Sequence, residues 1–218
     1  MNIDLSKYRK NYKHNRLLEY DIPNNPLQLF HNWFDKEKSL YEKYKEINAM
    51  SLSTIGKDGC PENRIVLLKE YSNYGFIFYT NYRSNKGKSI YQFPKVCLSF
   101  YWNQTERQII IKGDIQKINR KKSDEYFNRR PKEHKIGCWT SIQSSFLVSK
   151  EKLEEQYKKW KIFFIKNKSY IERPFDWGGY IVQPYRMEFW QGQPNRLHER
   201  IIYTLKDKNL WEIKRLYP

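Results

Sequence analysis

The stretch from Ala49 to Tyr71 reads AMSLSTIG, then KDGCP, then ENRIVLLKEY, and it decides the fold class. Ala49 to Gly56 reads as a strand, Lys57 to Pro61 as a turn, and Asn63 to Tyr71 as a second strand. Asp58-Gly59 is a hairpin dipeptide, because glycine enters positive φ without a steric penalty. Strands joined so closely run antiparallel. The IVLL run of Ile65 to Leu68 is apolar at consecutive positions, which predicts burial on both faces.

Working outward, the same pattern repeats. SNYG (72–75) turns the chain into FIFYTNY (76–82), and VCLSFYW, NQTE and RQIIIKGDIQKI read as strand, turn and long strand, with Gly113 a candidate bulge. YIVQPYRMEFW, RIIYTL and LWEIKRLYP are the last strands, with Asp207 to Asn209 a turn. Helices interrupt at a few points. Leu27, Phe30, Trp33, Phe34, Leu40, Tyr41 and Tyr44 recur at three- and four-residue spacing, predicting a helix from Leu27 to about Lys45. Ser84 caps a short helix that Pro94 ends. KKSDEYFNRRP predicts a helix with Ser123 as cap and Pro131 as stop, IGCWTSIQSS is irregular or a short helix, and Lys150 to about Lys166 is a charged helix. ERPFDWGGY reads as a loop. The sum is an antiparallel, mainly β barrel flanked by helices. Residues 1–25 read as a mobile N-terminal arm and 26–218 as one domain. There is no βαβ alternation and no GxGxxG, which argues against a doubly wound nucleotide fold.

Composition narrows the class. The chain has 218 residues, 17% aromatic, and a formal charge of +17 from 41 Lys+Arg against 24 Asp+Glu. The excess is largely Lys, spread along the chain with abundant Asn, Ile and Tyr, which fits anionic small-molecule ligands better than a polynucleotide. A nucleic-acid barrel would interleave exposed aromatics with Lys and Arg, whereas these aromatics fall at core-like positions. Mean hydropathy is -0.92, with no apolar run of membrane length and no secretory h-region, so a cytoplasmic protein is expected. Cys60, Cys97 and Cys138 are far apart, and no Cys/His spacing suits zinc; no metal is expected.

Four clusters could carry chemistry. Arg64 and Lys69 bracket the apolar strand Ile65, Val66, Leu67, Leu68, where cations at strand ends could meet an anion. Tyr79-Thr80 precedes a helix whose first turn holds Lys86, a position the helix dipole disfavours unless an anion sits there. Tyr126 and Arg130 are four apart on a short helix, with His134 beyond Pro131; hydroxyl, guanidinium and imidazole suit a phosphate monoester. Gln108, Gln143 and Ser144 add neutral groups that can read the edge of a heterocycle. The fourth cluster is EFWQGQPNRLHER, Glu188 to Arg200, read as a turn between strands. If that segment is extended, Arg196 and His198 point to one side. No carboxylate dyad and no Ser-His-Asp arrangement stands out, which favours a cofactor doing the hard chemistry.

RIVLLK, GFIFYTNYRSNK, SFYWNQTERQIIIKG, YFNRRPKEHKIGCWTSIQSS, WGGY, EFWQGQPNRLHER and LWEIKRLYP occur in one order from about Ile22 to Pro218. Together they resemble the pyridoxamine 5′-phosphate oxidase family. The resemblance implies an FMN-binding split barrel and a homodimer with FMN at the interface. It implies oxidation of pyridoxamine 5′-phosphate or pyridoxine 5′-phosphate to pyridoxal 5′-phosphate, with hydride passing to flavin N5 and O2 reduced to hydrogen peroxide. Carried over by position, Arg64 to Lys69, Tyr79, Thr80, Lys86, Gln108, Gln143, Ser144, Trp190 and Arg200 would touch FMN. Lys69, Tyr126, Arg130, His134 and the tip Arg196-Leu197-His198 would touch the substrate, with Arg196 and His198 catalytic. Arg9 and Tyr12 match the family's substrate-covering segment. Two positions depart from the family. Asn85 stands where an arginine is common beside the FMN-phosphate lysine, a loss of about 1.5–3 kcal/mol unless Arg83 or Lys88 replaces it. His134 stands where the family has a serine, so substrate affinity is expected to weaken as pH rises through the usual histidine range. The alternative enzyme reading is a split-barrel flavoprotein with another substrate, which would lack the RLH tip and the Tyr126/Arg130 pair.

Overall fold

The structure, a computed structural model, describes residues 1–13, 16–40, 46–166, 170–207 and 210–218. Its strands are β1 (Ala49–Ile55), β2 (Pro61–Leu67), β3 (Glu70–Ser72), β4 (Gly75–Asn81), β5 (Lys95–Trp102), β6 (Arg107–Lys117), β7 (Trp177–Gln191), β8 (Glu199–Asp207) and β9 (Leu210–Leu216). The helices are α1 (Pro26–Leu40), α2 (Asn85–Gln92), α3 (Arg120–Asn128), α4 (Lys132–Thr140) and α5 (Lys150–Lys166). Among the described residues the sheet order is β2-β1-β5-β6-β7-β4-β3, with β8 on β7 and β9 on β8. The pairs β3/β4, β4/β7, β7/β8 and β8/β9 are antiparallel. The architecture is the mainly β, helix-flanked one that the hairpin signals predict.

The decisive hairpin forms as read. The Gly56 N–H donates to the Cys60 carbonyl at 2.8 Å, and Gly59 sits at φ 82. The prediction of double-sided burial for Ile65–Leu68 fails: Leu68 is buried, but Ile65 is 67% exposed. β2 ends the sheet order, and its outer face stays open in the single chain. The strand also breaks after Leu67 and resumes at Glu70, with the Lys69 N–H donating to the Ile77 carbonyl at 2.8 Å.

The chain groups into two compact units. The first contains Met1–Ser51, Cys97–Gly113 and Pro184–Pro218. Here α1 buries Leu29, Phe30 and Trp33 on one face. Phe30 packs on Phe100 (5.4 Å between ring centroids), Trp33 stands edge-on to Phe189 (5.2 Å), and Phe189 to Tyr203 (5.6 Å). Each such pair adds about 0.5–1.5 kcal/mol beyond its buried area. Tyr203 keeps its hydroxyl satisfied by donating to the Pro23 carbonyl at 2.8 Å. Arg107 lies over Trp33 (4.4 Å) and donates from Nε to Gln191 at 2.8 Å. Burial pushes its pKa down to about 10, so it stays charged at neutral pH. Tyr41 and Tyr44, part of the predicted helix face, and Lys208–Asn209, part of the predicted last turn, lie outside the described residues.

The second unit contains Leu52–Val96 and Asp114–Gln183. Its strand pairing sets Tyr79 opposite Gly179, Thr80 opposite Gly178 and Asn81 opposite Trp177. WGGY is therefore the start of a strand, not a loop. Glycines fit there because a Cβ at 178 or 179 would run into the Tyr82 or Ile118 side chain. The cap of α3 is Asn119, whose side chain accepts from the Lys122 N–H at 2.7 Å. Ser123, the predicted cap, is buried one turn further on, and its hydroxyl accepts from the Gly179 N–H at 3.3 Å. Pro131 does not merely stop α3; it is the N-cap position of α4.

Candidate active site

Local sequence shapes the start of α2. Ser84 Oγ accepts from the Gly87 N–H (3.4 Å) and donates to the Asn81 carbonyl (2.7 Å), which closes the cap from both sides. Lys86 is buried in the first turn, its Nζ 3.4 Å from Ser84 Oγ. Burial, then the nearby Arg64, lowers its pKa. Desolvation, a second cation and the positive helix end all oppose that ammonium, and an anion relieves all three. Arg64 is already engaged: Nη2 meets Glu62 Oε2 at 2.7 Å and Nη1 meets the Thr54 hydroxyl at 2.6 Å. Thr80 Oγ1 donates to Gln143 Oε1 at 3.4 Å, and Ser144 follows at φ 70. Of the two candidate substitutes at Asn85, Arg83 lies over Phe175 (4.7 Å) with Nε 3.9 Å from Asp176. Lys88 lines the same small cavity as Asn85.

A second cluster in the same unit is aromatic. Tyr79 stacks on Tyr126 (3.8 Å, 9° between planes) and on Trp177 (5.5 Å, 12°). The Arg130 guanidinium covers Trp177 at 4.8 Å, and its Nη2 lies 3.8 Å from Cys138 Sγ. Arg130 Nε is buried without a hydrogen-bond partner among the described residues. Burial raises the Tyr126 pKa, opposed by the charge and hydrogen bond of Arg130. Burial, with Glu70 next, pushes Tyr79 up to about 12. Both phenols are therefore neutral donors at physiological pH. Arg130 lies beyond the end of α3, yet it still reaches Tyr126 as the four-residue spacing predicts.

The third cluster belongs to the first unit. β7 ends at Gln191, and Pro194–Arg196 forms a single 3-10 turn. Asn195 and Arg196 both adopt left-handed φ, 56° and 62°; asparagine accepts that region readily, whereas arginine is strained there. The segment is not extended, so the two-residue alternation expected for Arg196 and His198 does not apply. His198 is instead oriented by the turn: its Nδ1 accepts from the Gln193 N–H at 3.1 Å, and its ring tilts against Trp190 at 4.8 Å. Burial, then Arg196, lowers its pKa. Arg200 forms a two-nitrogen contact with Glu188 Oε1 (2.8 and 2.6 Å) and donates to the Tyr217 carbonyl at 3.0 Å. Tyr12 stands edge-on to both Trp190 (5.6 Å) and His198 (5.5 Å).

These clusters coincide with two stretches that match known families. Residues 37–166 match the family described as pyridoxamine 5′-phosphate oxidase. Residues 177–218 match the pyridoxine 5′-phosphate oxidase C-terminal dimerisation region. The chain belongs to the pyridoxamine 5′-phosphate oxidase family. A pyridoxine/pyridoxamine 5′-phosphate oxidase of Flavobacterium johnsoniae is 51% identical over 213 residues, covering 98% of each chain. One from Bacteroides thetaiotaomicron is 41% identical, covering 99% of each. The crystal structure of PhzG from Burkholderia lata, in complex with tetrahydrophenazine-1-carboxylic acid, superposes with a TM-score of 0.84 at 26% identity over 94% of this chain and 99% of that one. The fold is the split barrel of this oxidase family.

Within the oxidase frame, the structure groups Arg64, Thr80, Lys86 and Gln143 with Ser144 near α2, and Tyr79, Tyr126 and Arg130 around Trp177. Trp190, His198 and Tyr12 form the third group. Lys69, His134, Leu197 and Arg9 are exposed, and Arg9 Nε donates locally, to the Ser6 carbonyl. Gln108 lies in β6 within the first unit, half-buried. Trp177 and Gln193 touch site candidates directly, and Glu106 and Glu199 bond the N-terminal segment beside Tyr12, but all four escape the sequence reading. Only the paired glycines after Trp177 offered a signal; the carboxylates act across long sequence separations.

Proposed function

We propose that this chain oxidises pyridoxamine 5′-phosphate and pyridoxine 5′-phosphate to pyridoxal 5′-phosphate, using FMN and O2. The observation that carries the reading is a pair of cations in one unit with no carboxylate partner among the described residues: Lys86 at a helix N-terminus and Arg130 over an aromatic stack. Two phosphate-bearing ligands, cofactor and substrate, supply what each lacks. The buried, disfavoured Lys86 charge fits the FMN phosphate. When bound, FMN supplies a hydride acceptor that O2 regenerates, giving hydrogen peroxide. The alcohol substrate gives up a hydride from C4′ and a proton from its hydroxyl to become the aldehyde. The amine becomes an imine, and water releases ammonia from it.

The protein's share is positioning and electrostatics. Arg130 and Tyr126 hold the substrate phosphate. Arg196 lies over the pyridine ring. His198, with Nδ1 engaged, presents Nε2–H as a donor to the C4′ substituent. We place FMN at the interface of a homodimer, supported by the position of Trp190, Arg196, His198 and Arg200 inside the matched dimerisation region. Residues 1–25 act as a covering arm on one ligand-binding domain, 26–218. No described helix is long and apolar enough to cross a membrane, and we place the enzyme in the cytoplasm.

The visible spectrum tests the reading. The purified protein should be yellow, absorbing at about 450 nm as flavins do. Pyridoxine 5′-phosphate without oxygen should bleach it, and air should restore it. A protein that stays colourless with added FMN overturns the proposal; a yellow one that this substrate cannot bleach overturns the substrate.

A further inference from the structure

Glu106 stands outside every cluster above, yet it ties two of their parts together. It is 1% exposed and adopts φ 56, a conformation a glutamate rarely accepts. Its carboxylate faces the N-terminal segment: Oε2 accepts from the Lys13 N–H at 2.9 Å, and Oε1 pairs with Lys10 Nζ at 3.0 Å. Its carbonyl faces the end of β7, accepting from the Gly192 N–H at 2.8 Å and from Gln191 Nε2 at 3.3 Å. The left-handed backbone is what lets one residue present both ends. Tyr12 lies between the two lysines, on Trp190 and His198. A Cβ at 192 would stand 2.9 Å from Tyr12 Cγ and 3.1 Å from Glu106 Cβ, so glycine there is what permits the close approach. A second carboxylate repeats the device on the other side of the tip. Glu199 Oε2 accepts from the Leu17 N–H, in a short hydrogen bond, and lies 3.4 Å from Gln193 Nε2. Gln193 is the residue whose N–H orients His198.

We propose that Glu106 is a positioning residue for substrate binding: with Glu199 it latches the N-terminal segment at Lys10, Lys13 and Leu17 so that Tyr12 rests on His198 and Trp190. The latch rests on the reading that His198 meets the substrate. Backbone N–H groups held by one buried carboxylate, Glu106, and one half-buried carboxylate, Glu199, fix the register of the segment, because a slip by one residue would break both charge-assisted bonds to the main chain. Tyr12 is then placed by the latch rather than by its own ring contacts, which alone are weak.

The test uses the FMN-loaded dimer, with Glu106→Ala, Glu106→Gln, and both changes repeated in a chain lacking residues 1–13. Losing charge-assisted bonds to the segment should raise KM for pyridoxine 5′-phosphate about tenfold in Glu106→Ala, with kcat changed less. Trypsin should cut selectively at Lys10 and Lys13 in that variant, and Glu106→Gln, which keeps an acceptor for the Lys13 N–H, should restore much of both. In the truncated chain Glu106→Ala should change KM no further, as expected if the two changes remove one interaction. An unchanged KM in the full-length variant, or an equal rise in the truncated one, overturns the latch. A fall in melting temperature with kcat lost and KM intact also overturns it, since that is a purely structural role. If pyridoxine 5′-phosphate is not turned over even by the unaltered enzyme, the substrate reading fails instead; the trypsin pattern still judges the latch.

Discussion

At His198, one backbone contact sets the chemistry of a side chain. With Nδ1 accepting from Gln193, the neutral ring carries its proton on Nε2 and can only donate there. Burial, then Arg196, holds its pKa below the ordinary value. The fold thus favours the neutral ring. That contribution to stability is full above the unfolded value of about 6.5 and is lost as pH falls through the lower folded value. Nuclear magnetic resonance titration of the ring should give a midpoint below about 6.5, and Arg196→Ala should move it up, leaving only burial to depress it. No upward movement would mean that Arg196 does not act on the ring. The same variant should remain a yellow dimer but turn over about a hundredfold or more slowly, since misplaced reacting groups lose about that much. Normal turnover would remove Arg196 from the reaction.

At the scale of an element, α2 is where sequence and site are most tightly joined. Gly87 follows Lys86, and a Cβ there would clash with the Tyr82 carbonyl, which is backbone and cannot move aside. Gly87→Ala should displace the first turn, destabilise the fold by about 1–3 kcal/mol, and weaken FMN binding because Lys86 moves with it. Gly137, inside α4, has open space where a Cβ would stand, with nothing within 4 Å, so Gly137→Ala should stabilise by about 0.4–1 kcal/mol and leave FMN untouched. Urea melts and FMN titrations of the pair check this; equal effects on FMN would mean that α2's first turn is not the phosphate site. Ser84 and the helix it caps were legible in the sequence, because a cap is a local contact. Ser123 was misread as a cap, because its real partner, the Gly179 N–H, lies 56 residues away.

At the scale of the molecule, the C-terminal match to a dimerisation region and the exposed Ile65 on β2 both point to a second copy of the chain. Light scattering should give twice the 26.9 kDa chain mass. If FMN lies at the interface, dilution that separates the copies should release it, and saturating FMN should raise the melting temperature, by about 2.7 kcal/mol of stability at a hundred times Kd. A monomer that keeps FMN with unchanged affinity would place the cofactor within one chain. The barrel class was legible from the hairpins, whose turn chemistry is local. The openness of β2 was not, because an apolar run does not reveal whether its strand is central or at an edge.

The sequence by itself determined the antiparallel elements, the Ser84 cap, the four-residue pairing of Tyr126 with Arg130 and, through the ordered motifs, the family. Each rests on short-range periodicity or on residue order. Only the tertiary structure decided that Arg196 adopts left-handed φ in a 3-10 turn, with His198 just beyond it, so that the two do not share a side by extended alternation. It alone decided that Arg64 is held by Glu62 and Thr54, and that Glu106 and Glu199 grip the N-terminal segment. The carboxylate grips join residues far apart in the chain, the turn depends on φ, and Arg64 reaches Thr54 only across the closed hairpin; none of these is written in residue type.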